Sequence, residues 1–292
     1  MGKKNPPKEF LSPGRLAWGK LKRNKLAMFG LVMLLLLIVI SLLAPVLATH
    51  DRDAVDMFSV EQAPGKGHLL GTDDIGRDVF TRLLYGGQVS IGVGLAAVLL
   101  QVLIGVTLGA ISGYFGGFVD TFIMRVVDMV MCFPFYVIAI SMAAIFGGTA
   151  TNIVIIIGIL SWTGVARIVR AQVLSLRNRE FIEAARALGL KPGEIIVKHM
   201  LPNCLSPIIV NATLSMAVAI LTEAGLSFLG MGVRPPQPSW GNMLSAAQNM
   251  IALRYQWWRW LPPGLLVFLT VLSINFLGDG LRDALDPRTK TK

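Results

Sequence analysis

Arg125, Asp128 and Glu223 stand inside stretches of the chain that are otherwise strongly apolar. At the centre of a bilayer such a group costs about 2.5–3.5 kcal/mol on insertion scales, so it persists where it serves transport or pairs with another group. Arg125 and Asp128 are three residues apart and can share a helix face. Asp128 and Glu223 are therefore candidates either for a polar translocation path or for interhelical pairs that hold a bundle. Asp120, Arg167 and Arg170 fall near predicted helix ends, where snorkelling accounts for the two arginines. Asp279 and Asp283, at a predicted inner edge, are expected to be bundle pairs.

Other chemistry lacks a pattern. No Ser/His/Asp or Cys/His grouping supports a nucleophile system. Neither H-E-x-x-H nor the phosphate loop G-x-x-x-x-G-K-[ST] occurs. His50, His68 and His199 have no metal-ligand spacing, and Cys132 and Cys204 have no metal-like or redox-like neighbours. Asp73, Asp74 and Asp78 depart from the spacing of an EF-hand loop. Glu223 lies roughly 24 Å along its helix from Pro207, which puts it in the outer leaflet rather than at the midplane a proton-coupled carrier uses. The sequence thus predicts no catalytic, cofactor or metal site.

The elements that must position these residues are set by composition. The chain is 54% hydrophobic and 15% charged, with mean hydropathy +0.64. Soluble domains carry about a quarter charged residues. Several runs exceed the roughly 18–20 apolar residues that cross about 30 Å of hydrocarbon. Six spans are expected: Leu26–Ala48, Val89–Ser112, Val119–Phe146, Thr151–Val173, Leu205–Leu229 and Pro262–Leu281. Pro134 should kink the third. The first is longer than the core of a signal peptide and follows a long basic leader, so it is expected to be an uncleaved anchor. The outer-loop aromatics Trp240, Tyr255, Trp257, Trp258 and Trp260 are expected in an interfacial belt.

Lysine and arginine crowd the leader (1–25), the loop 174–204 and the tail (282–292), and thin out in 49–87 and 231–260. This bias places both termini in the cytoplasm. It also explains the net charge of +10 without nucleic acid as a partner. The organisation read from the sequence is a basic tail (1–25), an anchor (26–48), an extracytoplasmic loop (49–87), a five-helix core (88–281) and a cytoplasmic tail (282–292).

Between the fourth and fifth spans stands EFIEAARALGLKPGEIIVKHMLPN (180–203). Asn178 is a suitable N-cap, with Glu180 in the first turn where a negative charge suits the helix dipole. Phe181, Ala184, Ala185 and Leu188 form one apolar stripe. Gly189 stops the helix and Pro192 opens a second, which Leu201-Pro202-Asn203 ends. Pattern alone leaves two readings open: a helix resting on the membrane surface, or one that docks a partner.

The segment resembles the EAA motif of ABC importer permeases, here Glu183-Ala184-Ala185, Gly189 and Leu201-Pro202, with His199 where the generic motif prefers isoleucine. HLLGTDDIGRDVFTRLLYGGQVSIGVG (68–94), EAGLSFLGMGVRPPQPSWGNML (223–244) and NFLGDGLRDALDPR (275–288) resemble the second permease subunit of dipeptide and oligopeptide importers. The resemblance implies an all-α integral membrane chain with the type I importer permease fold, an N-terminal extra helix and six transmembrane helices. It implies that the hairpin couples to cytoplasmic ATPases through Glu183, Ala184, Ala185, Gly189, Leu201 and Pro202. Implied partners are a homologous permease in a heterodimer, two ATPases that hold ATP and magnesium, an extracytoplasmic solute-binding protein, the bilayer and a peptide substrate, in a bacterial or archaeal cytoplasmic membrane. The same machinery for nickel or another small solute, or a stand-alone secondary transporter, are the alternatives. Leu84-Tyr85-Gly86-Gly87-Gln88 mimics the LSGGQ signature of ABC ATPases, but without a phosphate loop it carries no ATP site.

Overall fold

The computed structural model describes residues 13–285, and among them every regular element is helical. α1 (Pro13–Arg23), α2 (Lys25–Leu42) and α3 (Ala44–Leu47) form the N-terminal arm. α4 (Val79–Phe115), α5 (Gly117–Cys132), α6 (Phe135–Phe146) and α7 (Ala150–Arg177) follow. Next come α8 (Glu180–Ala187), α9 (Pro192–Glu194) and α10 (Leu201–Phe228). α11 (Trp240–Leu244), α12 (Met250–Tyr255) and α13 (Trp257–Leu285) complete the chain. The leader before Pro13 and the tail after Leu285, with their lysines and arginines, lie outside the described residues.

Five helical segments are long and apolar enough to cross a membrane, and six if α5 and α6 count as one. The predicted kink at Pro134 is far sharper than a kink: α5 and α6 meet at 83°. Phe133 (φ −92°, ψ 138°) and Pro134 (φ −63°, ψ 122°) are both extended. Proline drives the residue before it out of the helical region and offers no N–H to the turn behind, so two consecutive extended residues redirect the chain.

α4 and α7 make the most extensive helix–helix contact. Gly105, Gly109 and Gly113 line the contact at every fourth residue, and a methyl on them would sit 2.6, 2.5 and 2.9 Å from Val165 Cβ, Ala166 O and Arg170 O. With no water to drive apolar faces together in lipid, small residues that let backbones approach are what hold such pairs. Around this seam pack two cores. One joins Val93, Ala97, Ile153, Ile156 and Leu226; the other joins Ala110, Tyr114, Val169, Ile182, Ile195 and Met200.

One predicted boundary is corrected. Leu201-Pro202-Asn203 does not end a helix: Pro192 to Phe228 runs on as one span, with Pro207 in its interior. A π-helical turn over Ile195–Met200 absorbs the proline, and the Leu201 N–H reaches back to Ile196 O, five residues away. The wider turn makes room for a ring that an α-helical ladder would reject. The Asn203 side-chain amide donates to His199 O at 2.7 Å.

Candidate functional site: a docking hairpin and its polar supports

α8 is a short helix at the end of the bundle where α4 finishes. Ile182 is fully buried and Ala185 nearly so, in a core with Tyr114, Val173, Ile195 and Met200. The stripe expected from the sequence is thereby split. Phe181 (44% exposed), Ala184 and Leu188 (80% exposed) face outward, while Ala185 turns inward with Ile182. Asn178 is also reassigned: it is the C-cap of α7, and α8 starts from Arg179 without a side-chain cap. Glu180 and Glu183 still occupy its first turn, where they suit the helix dipole.

The stop after α8 matches expectation. Gly189 takes φ +77°, its N–H donates to Arg186 O at 2.9 Å, and the Leu190 N–H donates to Ala185 O at 3.2 Å. Those two bonds are the Schellman arrangement, which needs a left-handed residue at this position. Pro192 then stands at the start of α9. Arg186 covers the Tyr114 ring at 5.4 Å, tying the hairpin to α4. Leu201 is partly buried in the π-turn region and Pro202 is exposed. The hairpin is thus held rigidly by its inner face and offers Phe181, Ala184 and Leu188 to whatever lies beyond the bundle.

Above the hairpin two ion pairs lace α5 to α7. Arg170 grips Asp120 through two contacts, Nε to Oδ1 at 2.5 Å and Nη2 to Oδ2 at 2.6 Å, and the Ser112 hydroxyl of α4 also donates to Asp120. Asp128 accepts from Arg167 at 2.7 Å, while Arg125, its expected partner, stays at 4.0 Å. Arg167 and Arg170 are therefore paired rather than simply snorkelling. Asp279 is exposed and has no ion pair among the described residues.

Glu223 is fully buried where α4, α10 and α11 meet. Ser90 donates to Oε2 at 2.9 Å and Ser227 to Oε1 at 2.7 Å. The same serines accept the N–H groups of Trp240 (3.1 Å) and Val233 (3.0 Å). The carboxyl group is the hub of a satisfied network, with no cation in pairing range among the described residues.

That network explains the LYGGQ stretch. A methyl on Gly87 would sit 2.8 Å from Trp240 Cζ2 and 2.1 Å from Ser41 Oγ, and one on Gly86 would sit 3.2 Å from Trp240 Cδ1. Gln88 donates to Ser41 O at 2.8 Å. The glycines make room for a buried indole, whose N–H donates to Leu83 O at 2.9 Å. Trp240 and Trp258 (N–H to Thr72 O, 3.2 Å) are therefore core groups rather than belt residues, whereas Tyr255 and Trp257 remain exposed.

At the end of the bundle opposite α8, segment 49–78 folds down onto α4 and α13. Glu61 accepts from Arg259 at 2.6 Å and from Gln256 at 2.8 Å, and Arg82 is buried 3.6 Å from Asp73. Between this segment and 227–249 opens a cleft of about 490 Å³ with Asp74, Arg77, Arg234, Asn242 and Arg259 on its walls.

Residues 105–291 match the family described as binding-protein-dependent transport system inner membrane component, and residues 12–64 match the N-terminal TM domain of oligopeptide transport permease C. The chain belongs to this permease family. The permease is 44% identical over 291 residues to the dipeptide transport system permease protein DppC of Alkalihalophilus pseudofirmus, covering 98% of this chain and 95% of that one. It is 40% identical over 283 residues to the oligopeptide transport system permease protein OppC of Bacillus subtilis, covering 97% and 92%. Among solved structures it resembles a chain of the inward-facing MetNI methionine ABC transporter, with TM-score 0.57 and 18% identity, over 70% of this chain and 96% of that one. The fold is that of a type I ABC importer permease, and the protein is a multi-pass membrane subunit of an importer.

Proposed function

We propose that the permease imports dipeptides or oligopeptides into the cytoplasm, as one half of a heterodimeric pore in a bacterial or archaeal cytoplasmic membrane, with both termini inside. Two ATPase subunits supply the energy, because the chain has no phosphate loop of its own. Their attachment point is α8. When ATP closes the ATPase pair, the hairpins move with it and rock the spans from inward-open to outward-open. A solute-binding protein then delivers peptide from the side of segment 49–78. Asp128 and Glu223 serve the bundle as polar fasteners.

The observation that carries this reading is the two-faced α8. Its inner face is anchored by Ile182 and Ala185, its end is locked by Gly189, and its outer face of Phe181, Ala184 and Leu188 is unsatisfied within the chain. Homologues named for dipeptide and oligopeptide transport support the peptide assignment. The test is co-expression with the partner permease, the candidate ATPases and the binding protein, followed by uptake of a labelled tripeptide into proteoliposomes. Ala184→Asp, which alters only the outer face, is expected to lose the ATPases on purification and to abolish uptake. Retention of the ATPases by Ala184→Asp would show that α8 is not where they attach. Uptake of nickel without competition from peptide would overturn the substrate.

A further inference from the structure

Three side chains that are scattered along the sequence converge at the outer end of α4. His50 follows the N-terminal arm, His68 lies mid-way through the outer segment, and Asp78 caps α4. Each can offer one ligand atom, and these atoms all lie within 4.8 Å of one another. His68 Nδ1 is 2.9 Å from Asp78 Oδ1, and His50 Nδ1 is 3.6 Å from the same oxygen. The two imidazoles stack, with centroids 4.5 Å apart and planes inclined by 26°.

We infer that His50, His68 and Asp78 form a binding site for a divalent transition cation, zinc being the ion that best fits, which clips the outer segment to the first turn of α4. Zinc takes imidazole nitrogen and carboxylate oxygen at about 2.0–2.2 Å, which in a tetrahedron separates neighbouring ligand atoms by roughly 3.3 Å. The observed 2.9 and 3.6 Å fall on either side of that separation. Two nitrogens and one oxygen suit zinc better than magnesium or calcium, which prefer all-oxygen cages. A neutral imidazole that ligates through Nδ1 carries its ring proton on Nε2, so the cation would take the place between His68 Nδ1 and Asp78 Oδ1 that a hydrogen bond fills without it.

The surroundings are built for the same task. Asp78 is buried, and its second oxygen accepts the Thr81 N–H at 2.8 Å, which fixes the carboxylate plane from behind. The Thr49 hydroxyl lies 3.0 Å from His50 Nδ1 and 3.5 Å from Asp78 Oδ2, inside the cluster. Arg52, two residues after His50, is turned to Asp53 at 2.6 Å. His50 borders an open hollow of about 330 Å³, shared with Asp51 and Tyr85, through which an ion and a fourth, water ligand can enter. A simple hydrogen-bonded latch needs only His68 and Asp78; it does not account for a second imidazole nitrogen 3.6 Å from the same oxygen.

The full-length permease, purified in detergent with a tag that contains no histidine and stripped with chelator, is titrated with zinc chloride by calorimetry and melted with and without zinc. One zinc per chain and a rise in melting temperature of about 5 °C or more at saturation are expected. Cobalt in place of zinc should give the visible absorption of a tetrahedral ion. His50→Ala, at a partly exposed ring, should fold normally, lose the cobalt bands and weaken zinc binding at least tenfold; His68→Gln should do the same, and His199→Ala should behave as wild type. Absence of saturable binding, or binding by His50→Ala equal to that of wild type, overturns the proposal.

Discussion

Ser90 on α4 and Glu223 on α10 are joined by a 2.9 Å hydrogen bond inside the bundle, 133 residues apart in sequence, and the serine passes the contact on to the Trp240 backbone. A buried carboxyl group without a cation is normally costly, and here two hydroxyl donors offset that cost. The group is enclosed and satisfied, which fits the proposed fastening role better than a place on an open path. Glu223→Gln, which keeps the shape and one acceptor oxygen and leaves the other serine to accept from the amide instead of donating, should retain both assembly and uptake. Glu223→Ala leaves two hydroxyls without an acceptor and should cost about 1–3 kcal/mol, seen as a lower melting temperature of the purified complex. Loss of uptake in Glu223→Gln with unchanged stability would point instead to proton carriage.

The Asp120–Arg170 contact can be weighed by a double-mutant cycle. Its two-point geometry and the added Ser112 hydroxyl favour it, but both side chains are partly exposed, and exposed pairs contribute little. A coupling of about 1 kcal/mol between Asp120→Asn and Arg170→Gln is expected in thermal unfolding. Asp128 and Arg167, half-exposed on both sides, should couple more weakly still.

Gly189 tests backbone conformation separately from surface chemistry. At φ +77° a Cβ is strained even though nothing lies within 4 Å of it in this chain. Gly189→Ala should therefore destabilise the hairpin by about 1–2 kcal/mol without blocking any surface, so ATPase binding weakens but survives. Gly189→Asn, whose side chain tolerates the left-handed region, should lie between alanine and wild type. Gly189→Glu adds bulk and charge to the same strain and should lose the ATPases on co-purification. Equal ATPase recovery for all three variants would separate the turn from coupling.

Gly109 tests the α4–α7 seam. Any side chain there meets the Ala166 carbonyl oxygen at 2.5 Å, which belongs to backbone and cannot swing aside. Gly109→Leu should push the helices apart and reduce the folded, detergent-stable yield severely, while Gly92→Leu, facing open space on the same helix, should have little effect. Size-exclusion profiles of the two variants provide the comparison.

Much of this protein was legible in one dimension. Membrane spans follow from run length, because lipid tolerates only a helix whose backbone bonds are internal. The turn after α8 follows from Gly189 and Pro192, because both act through their own backbone geometry and need no neighbour. The glycine series at 105, 109 and 113 was also available as a small-residue spacing, and points to a close helix seam.

Tertiary structure decided which groups meet. Whether Asp128 takes Arg125 or Arg167, whether Phe181 or Ile182 is buried, and that Trp240 sits in a glycine-lined socket all depend on how helices pack, and packing lies outside any local window. Proline reads alike at 134 and 202, yet the chain breaks at one and continues through a π-turn at the other. Two successive extended residues turn the chain at the first, while the turn before the second is widened around the ring. His50, His68 and Asp78 share no sequence spacing at all; only the folding of segment 49–78 back onto the end of α4 brings their ligand atoms within reach of one another.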